Sequence, residues 1–389
     1  MRNKIIIIGG GAVGLSLACS LASTKLEIII IEKKSINGLS NPIYDGREIA
    51  ITHLSKHILE TLNVWEYIPW KHISFIKEAK VYNGNSCYSL NFDTKELNKN
   101  ILGYLVPNNQ IKKALYKVAK TKKNIQIITD TNIDTIKVNK NKIIIKTCCN
   151  KKFESLLVIA ADSRFSAIRT KMNIDASLQN FNQTAIVCKM SHDKEHQNIA
   201  YECFLYGETL AVLPLCNKSS SIVLTCSKQK SKILMSFNNH DFNKYISDKF
   251  KNKLGDMKLI SRRFNYSLIS VYAKQFVLNR FALIGDAAVG MHPVTAHGFN
   301  LGIRGQKILS EKIQFALKNN IDIGSIKILK KYEEEHRLIS KPLYIATNTI
   351  VKLFTKDSLF FKIFRKVGLR VGNNLLSVKR KILNSLTEI

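Results

Sequence analysis

The stretch IIIIGGGAVGLSLACSLA, residues 5–22, stands almost at the start of the 389-residue chain and decides its fold. The isoleucines predict a buried strand over residues 4–8, and the small residues that follow predict a helix over 12–22. A second apolar run, LEIIII at 26–31, predicts another buried strand that ends at Glu32. A strand, a helix and a strand in this order require parallel pairing, which indicates a Rossmann-like α/β sheet.

The glycines after the first strand have separate tasks. Gly9, Gly11 and Gly14 fit the pattern G-x-G-x-x-G. The first permits a tight turn, the second lets the backbone approach a pyrophosphate, and the third lets helix and strand pack closely. The helix N-terminus then presents free N–H groups and a partial positive charge to phosphates.

Glu32 follows Gly14 by 18 residues, where a carboxylate accepts hydrogen bonds from a ribose diol. Strand, glycines, helix and acid together predict a dinucleotide site. The alternative is a glycine-rich turn in an unrelated α/β fold. This first motif does not separate FAD from NAD.

A second stretch, RFALIGDAAVGMHPVTAHGFNLGIRGQKIL at 280–309, bears on that choice. It predicts a buried strand ending at Gly285 and Asp286, a loop, and a helix starting near Gly298. Asp286 is placed to bond a ribityl or ribose hydroxyl. The helix N-terminus at Gly298 to Asn300 would stabilise the negative charge that reduced flavin carries near N1, which a nicotinamide does not need. The second motif therefore favours FAD.

This stretch resembles the G-D-A-A-H-x-x-x-P-x-x-G-Q-G-x-N-x-G signature of the FAD-dependent aromatic hydroxylases, the p-hydroxybenzoate hydroxylase-like monooxygenases. Its variant MHPVTAHGFNLG most closely resembles the flavin hydroxylases of ubiquinone biosynthesis. Further segments resemble the family in the same order along the chain. They are YDGREIAITHLSKHILETLNVWEYI at 44–68, LGYLVPNNQIKKAL at 102–115 and VIAADSRFSAIR at 158–169, the last similar to A-D-G-x-x-S-x-x-R.

The resemblance implies which residues hold FAD. His292 either stabilises the turn before the loop proline or lies near substrate, and neither a catalytic nucleophile nor a metal is required. The implied cofactor residues are Gly9, Gly11, Gly14 and Glu32 at the ADP half, Arg47 and Asp162 at the pyrophosphate, Asp286 at the ribityl or phosphate region, Pro293 in the flavin loop, Gly298 and Asn300 at the ring, and Asn108 as a further contact.

The resemblance also implies the reaction. Reduced FAD adds O2 to give a flavin C4a-hydroperoxide, which hydroxylates the aromatic ring of a polyprenyl phenol in ubiquinone biosynthesis. The protein must exclude water and aim the ring. Because only one dinucleotide fingerprint is present, the reductant is NADPH or NADH binding transiently, or an electron-transfer protein. Membership of a ubiquinone-biosynthesis complex is a further expectation.

Several positions depart from the family pattern. Ser163 replaces a glycine, Val289 a histidine and Gly305 an aspartate, and Ala296 with His297 stands where G-Q is usual. Ser163 is tolerable if its backbone angles stay in the common regions. A Cβ on Ala296 could crowd the flavin ring. These departures keep open a catalytically weak scaffold, beside a same-fold enzyme acting on another phenol or prenyl substrate.

The remaining pattern predicts how the chain is divided. We expect a discontinuous FAD-binding domain at 1–72, 105–178 and 274–320, an inserted β-rich substrate domain at 73–104 and 179–273, and a C-terminal helical region at 321–389. Within these ranges, residues 47–68 are predicted to be helical. A helical insert is predicted near 241–253.

The charge balance bears on partners. There are 60 Lys and Arg against 29 acids, a net charge of +31, which favours polyanions or an anionic membrane surface, unless it reflects compositional drift alone. Nucleic acid is not expected, because the chain offers no stacking or groove-reading motif. Residues 351–383 are apolar and basic together, which favours a helix lying on a bilayer or, equally, one packed on the protein.

Localisation follows from what is missing. The N-terminal apolar run has no cleavage region, no stretch reaches the about 18 apolar residues of a span, and the 8 cysteines form no C-x-x-C pair. We therefore expect reduced thiols and a cytoplasmic protein, peripheral at the inner face of the membrane.

Overall fold

A computed structural model describes residues 3–84, 86, 88–94, 100–292 and 297–355. The strands are β1 (Lys4–Ile8), β2 (Glu27–Ile31), β3 (Glu48–Ile51), β4 (Ser74–Ile76), β5 (Glu78–Asn83), β6 (Ser89–Asp93), β7 (Gly103–Pro107), β8 (Ile125–Ile128), β9 (Ile133–Val138), β10 (Ile143–Thr147), β11 (Lys152–Ser155), β12 (Leu157–Ala160), β13 (Ala176–His192), β14 (Ile199–Phe204), β15 (Thr209–Pro214), β16 (Ser219–Ser227), β17 (Met257–Leu259), β18 (Phe264–Ala273), β19 (Val277–Leu278), β20 (Phe281–Leu283) and β21 (Val289–Gly290). The helices are α1 (Ala12–Leu21), α2 (Ile36–Ser40), α3 (His53–Thr61), α4 (Asn108–Thr121), α5 (Ala167–Lys171), α6 (Lys228–Ser236), α7 (Asn239–Lys249), α8 (His297–Lys318) and α9 (Ile326–Thr355), with short 3-10 turns at Trp65–Tyr67, Trp70–His72 and Gly285–Ala287.

The nucleotide-binding sheet has the order β19-β20-β12-β1-β2-β8, and all its pairings are parallel except that of the edge strand β19. After Lys4 and Glu27 at their first positions, the central strands β1 and β2 are apolar, because a parallel sheet is covered on both faces. Helix α1 packs against α4 and α8, and the small sheet β11-β10-β9 joins the same core. The expected α/β architecture is confirmed.

A large, mostly antiparallel sheet has the order β21-β18-β13-β16-β15-β14-β5-β6, with β17 also pairing β13. Helices α6 and α7 cover one of its faces with a separate apolar core that includes Leu234, Phe242 and Ile246. The small sheet β3-β7-β4 is the third element near the site. These sheets draw together segments that are far apart in the sequence.

Two helix predictions were wrong in extent. Residues 48–51 of the predicted 47–68 helix form β3, because they pair antiparallel with β7, and α3 begins only after Thr52 caps it by accepting the N–H of Ser55. The helical insert begins at Lys228 rather than near 241. It comprises two helices, capped by the side chains of Ser227 and Asn238.

The C-terminal region is helical as far as it is described, through α9 to Thr355. Most of the amphipathic segment 351–383 lies outside the described residues. Among the described helices, none is both long and apolar enough to cross a membrane.

Candidate functional site: a nucleotide cleft at one sheet edge

The candidate site forms where four parallel strands end. Gly9 follows β1, Glu32 follows β2, Asp162 comes shortly after β12, and Asp286 shortly after β20. Because the carboxyl ends of parallel strands lie at one edge, these residues come together from distant parts of the chain. The backbone also joins the strand ends, with the N–H of Gly9 donating to Ile31 O at 2.9 Å.

The three predicted glycines differ in what surrounds them. Gly9 has a φ of +110°, and a Cβ there would lie 2.4 Å from the carbonyl oxygen of Ala161. A Cβ on Gly14 would lie 2.1 Å from Gly9 O, whereas one on Gly11 would meet no described atom within 4 Å. The fold itself therefore requires Gly9 and Gly14. Gly11 leaves open space at the N-terminus of α1, and such space fits a pyrophosphate.

Glu32 is held in place by the turn it faces. One carboxylate oxygen accepts the N–H of Gly10 at 2.6 Å, and the other accepts the N–H of Lys34 at 2.9 Å. The side chain is buried, with an exposure of 8%. Each carboxylate oxygen has a second lone pair, so the group retains acceptor capacity for a ribose diol.

Asp162 and Ser163 lie between β12 and α5. Both carboxylate oxygens of Asp162 cap α5, accepting from the Ser166 hydroxyl at 2.5 Å and the Ile168 N–H at 3.1 Å. Asp162 therefore meets the glycine turn with its backbone, and its side chain serves the protein. Ser163 has a φ of +88°, outside the common regions that the sequence-based expectation required.

Arg47 and Asn108 converge on Asp45. The guanidinium of Arg47 forms an ion pair with Asp45 at 2.5 Å, and the amide of Asn108 donates to the same carboxylate oxygen at 2.7 Å. Burial alone would raise the pKa of Asp45, but the hydrogen bonds from Arg47 and Asn108 outweigh it and hold that pKa below its usual range. The Arg47 guanidinium also lies 5.4 Å above the Tyr266 ring. Arg47 is thus a fixed cation.

Lys112 is a site residue that the sequence prediction missed. Burial and then the positive charge of Arg47 lower its pKa, while Asp45 and Glu32 act in the opposite direction. A cation in this position can face a pyrophosphate beside Arg47. The sequence signal that could have identified Lys112 was its position one helical turn after Asn108.

Arg164, also missed, fixes the position of Asp286. Its guanidinium forms an ion pair with Asp286 at 3.1 Å and donates to the carbonyl oxygens of Ile269 at 2.6 Å and Met291 at 3.1 Å. A Cβ on Gly290 would lie 2.8 Å from Arg164 Nε. Arg164 therefore joins the strand end at Asp286 to β18 and to the start of the flavin loop. The sequence signal that could have identified Arg164 was its position inside the motif at 158–169.

In the flavin loop, Pro293 and Ala296 lie outside the described residues. His292 precedes them and is buried, with its ring 4.8 Å from that of Phe181. Burial, followed by the positive charge of Arg164, lowers the pKa of His292 to about 4, so its imidazole is neutral at neutral pH. Val289 is buried and pairs with Tyr272 on β18.

The start of α8 presents backbone rather than side chains. A Cβ on Gly298 would meet no described atom within 4 Å, and the N-terminus of α8 carries a partial positive charge. The Asn300 side chain instead ties α8 to β3, donating to Ala50 O at 2.8 Å and accepting the Thr52 N–H at 3.2 Å. The Asn300 side chain thus fixes the first turn of α8 against β3.

Gly305 has a packing reason for its identity. A Cβ there would lie 2.8 Å from the imidazole of His336, which stacks on Tyr332 with ring centroids 5.6 Å apart. The aspartate that the family pattern carries would not fit against that imidazole.

These groups fit FAD in kind and order. The acid and glycine turn suit the ADP half, the Arg47 and Lys112 cations suit the pyrophosphate, and the positive end of α8 suits the flavin ring.

The comparisons with known proteins agree with this geometry. The FAD binding domain family matches residues 2–345. Ubiquinone hydroxylase UbiM of Neisseria meningitidis is 39% identical over 391 residues, covering 100% of this chain and 85% of that protein. Ubiquinone hydroxylase UbiL of Rhodospirillum rubrum is 27% identical, covering 97% and 87%.

Solved structures show the same fold. p-Nitrophenol 4-monooxygenase PnpA from Pseudomonas putida superposes with a TM-score of 0.79 at 16% identity, over 99% of this chain and 98% of its own. PqsL of Pseudomonas aeruginosa, in complex with 2-aminobenzoylacetate, gives 0.79 at 14% identity, over 91% and 97%. This chain therefore belongs to the FAD binding domain family, in its branch of FAD-dependent hydroxylases.

Proposed function

We propose that this protein is an FAD-dependent monooxygenase that hydroxylates the aromatic ring of a polyprenyl phenol in ubiquinone biosynthesis. The observation that carries the proposal is the 39% identity to ubiquinone hydroxylase UbiM along the whole chain, joined to a cleft that fits FAD. Bound FAD supplies the redox chemistry, accepting electrons from a nicotinamide or a protein donor and activating O2 for transfer to the ring.

The residues of this chain would divide the binding of FAD between them. Glu32 accepts hydrogen bonds from the ribose, and the N–H groups of the glycine turn bind the pyrophosphate together with Arg47 and Lys112. Asp286, held by Arg164, accepts from a hydroxyl of the cofactor. The backbone N–H groups of Gly298 and Phe299, in the first turn of α8, stabilise negative charge on the ring, and the Asn300 side chain holds that turn against β3. Asn108, which donates to Asp45, and Asp162, which caps α5, contribute by shaping the backbone around it.

The protein also has to keep water from the reacting atoms and hold the aromatic ring in place. We assign this task to the large sheet, whose strands carry the proposed substrate domain at 73–104 and 179–273. The rest of the chain to residue 320 would form the FAD-binding domain, and residues 321–389 the C-terminal region. His292, neutral and buried beside Phe181, suits the boundary between ring and substrate.

The decisive experiment combines cofactor and turnover. The purified protein, reconstituted with FAD, should show flavin absorption that NADPH or NADH bleaches without oxygen. On admission of O2 it should convert a short-chain prenyl phenol to a product heavier by one oxygen atom. A flavin that nicotinamides leave oxidised, but dithionite reduces with turnover on reoxidation, would point to a protein electron donor. Absence of flavin after reconstitution would overturn the enzyme and leave the scaffold.

We also propose peripheral binding to an anionic membrane. Two observations support it: the net charge of +31, and the outer face of α9, where Leu338 and Ile345 are 79% and 55% exposed. Residues seven apart lie on one helix face, as a bilayer surface requires. Sedimentation with vesicles should show binding to phosphatidylglycerol but not to phosphatidylcholine, weakened by salt and by L338S/I345S. The exposed Ile233 on α6 provides the control variant I233S, and equal loss in both variants would contradict the assignment to α9.

A further inference from the structure

The large sheet turns its two faces to different surroundings. One face packs on α6 and α7, and Tyr201 and Cys203 of β14 belong to that side. The other face meets the nucleotide-binding side of the molecule, where Lys189 on β13 pairs with Glu48 on β3 at 2.8 Å. Successive residues of a strand point to opposite faces. Glu202, between Tyr201 and Cys203, therefore points toward the nucleotide-binding side.

Glu202 belongs to an otherwise apolar row across this face. Ala211, its partner on β15, is small, and both Ala211 and Val223 keep accessible surface, so the row is incompletely covered. Phe264 lies at the far end of the row and packs against Gly46, the residue before Arg47. A Cβ on Gly46 would lie 2.5 Å from the Phe264 ring. In register the row consists of Val81, Glu202, Ala211, Val223, Val187 and Phe264.

The carboxyl group of Glu202 has no structural task in this row. It forms no hydrogen bond or ion pair with another described residue. Protein atoms surround the carboxyl group, while part of the surface of the residue stays accessible. Burial raises the pKa of Glu202 to about 8. At neutral pH the group is therefore mainly a carboxylic acid, with one O–H donor and a carbonyl acceptor. A polar group in apolar surroundings is costly unless it finds a hydrogen-bond partner.

We propose that Glu202 anchors the aromatic substrate, forming a hydrogen bond with a ring hydroxyl while the apolar row from Ala211 to Phe264 holds the ring. This assignment rests on the proposed function, which makes a phenol the substrate. A phenol hydroxyl both donates and accepts, so it satisfies the carboxyl group in either protonation state. A site built around such a bond rejects the analogue that lacks the hydroxyl group.

The test measures binding rather than turnover. The FAD-loaded full chain is titrated with 2-prenylphenol and with prenylbenzene, which lacks the hydroxyl group, following flavin fluorescence. The wild type should bind the phenol at least about ten-fold more tightly than prenylbenzene, as expected for a lost hydrogen bond to a buried group. In E202L the ratio should fall to about one. E202Q keeps the shape and still offers a donor and an acceptor, so it should retain most of the preference for the phenol.

The matched control is E78Q. Glu78 lies on the neighbouring strand β5, on the opposite face, where it pairs with Lys80 at 3.3 Å. E78Q should keep the wild-type ratio, and flavin content verifies the fold of each variant. An unchanged ratio in E202L, with prenyl phenol turnover intact in the wild type, overturns the role of Glu202 alone. A wild type that neither binds nor hydroxylates any phenol removes the proposed function as well.

Discussion

At the scale of single residues, the chain uses several of its cofactor motif positions to hold itself together. The Asn300 amide joins α8 to β3, and both Asp162 oxygens cap α5. Arg164 in turn fixes Asp286. Much of what a bound flavin would meet is therefore backbone N–H, positioned by side chains that face away from it. Such groups are pre-organised before the cofactor arrives.

Ser163 carries backbone strain that a glycine would relieve. Its φ of +88° lies in the left-handed region, where a Cβ costs about 1 kcal/mol or more. S163G should raise the free energy of unfolding by about 1 kcal/mol, measured by urea denaturation of the flavin-free protein. S163A is the control, because it keeps the Cβ and should stay close to the wild type. Equal stability of the glycine and alanine variants would refute the strain.

His336 makes stability depend on pH. It is 1% exposed, and burial, followed by the charges of Arg304 and Arg337, lowers its pKa to about 4. The unfolded chain takes up this proton near pH 6.5, before the folded protein does. The contribution of the neutral ring is therefore complete above pH 6.5 and is lost as pH falls toward 4, on the order of 3 kcal/mol in total.

H336F keeps an aromatic ring against Tyr332 but cannot take up a proton. Its free energy of unfolding should fall less steeply between pH 6.5 and 4 than that of the wild type. Part of the slope should remain, because the pKa of His292 is also lowered to about 4. Urea unfolding at several pH values measures both slopes. Parallel curves for the two proteins would show that His336 does not remain neutral.

At the scale of elements, the turn from β1 into α1 contains one glycine that the fold requires and another whose open surroundings suit FAD binding. A Cβ on Gly14 would strike the backbone oxygen of Gly9 at 2.1 Å, whereas one on Gly11 would enter open space. Backbone cannot yield as a flexible side chain can. A substitution at Gly14 therefore tests folding, whereas one at Gly11 tests FAD binding.

G14A should destabilise the flavin-free protein by several kcal/mol and abolish FAD binding. G11A should leave the free energy of unfolding within about 0.5 kcal/mol of the wild type, yet weaken FAD at least about ten-fold by crowding the pyrophosphate. Thermal unfolding of the apoprotein and FAD titration measure the two effects separately. If G11A bound FAD as tightly as the wild type, the pyrophosphate would have to lie elsewhere.

The sequence predicted the elements whose periodicity depends only on local burial. The isoleucine runs of β1 and β2 are buried whichever strands flank them, and α1 was predicted to within one residue at its end. Residues 48–51 were predicted as helix because their strand character comes from pairing with β7, about 56 residues away. Likewise, no local pattern shows that Arg164 reaches both Asp286 and β18.

At the scale of the whole molecule, the large sheet is fastened to the nucleotide-binding side by a buried ion pair. Glu48 on β3 has a side-chain exposure of 1%, and its partner Lys189 on β13 is 26% exposed. Lys189 also lies 4.7 Å above the Tyr44 ring. Burial raises the pKa of Glu48 against the opposing effect of Lys189, so the carboxylate depends on that cation. This contact lies beside Arg47 and thus couples the sheet to the proposed pyrophosphate site.

A double-mutant cycle tests that coupling. E48M and K189M each leave one charge without its partner and should each lower the free energy of unfolding by about 3 kcal/mol. The double variant should lose clearly less than the sum, with a coupling of at least about 1 kcal/mol, because two apolar side chains replace two charges. The exposed pair Lys274 and Asp175, 3.0 Å apart, provides a control cycle that should give almost no coupling. FAD affinity should follow the same order, falling in the single variants and recovering in the double, because β3 continues directly from Arg47. Additive losses in both cycles would mean that Glu48 and Lys189 stabilise their own strands separately and do not join the two sides of the cleft.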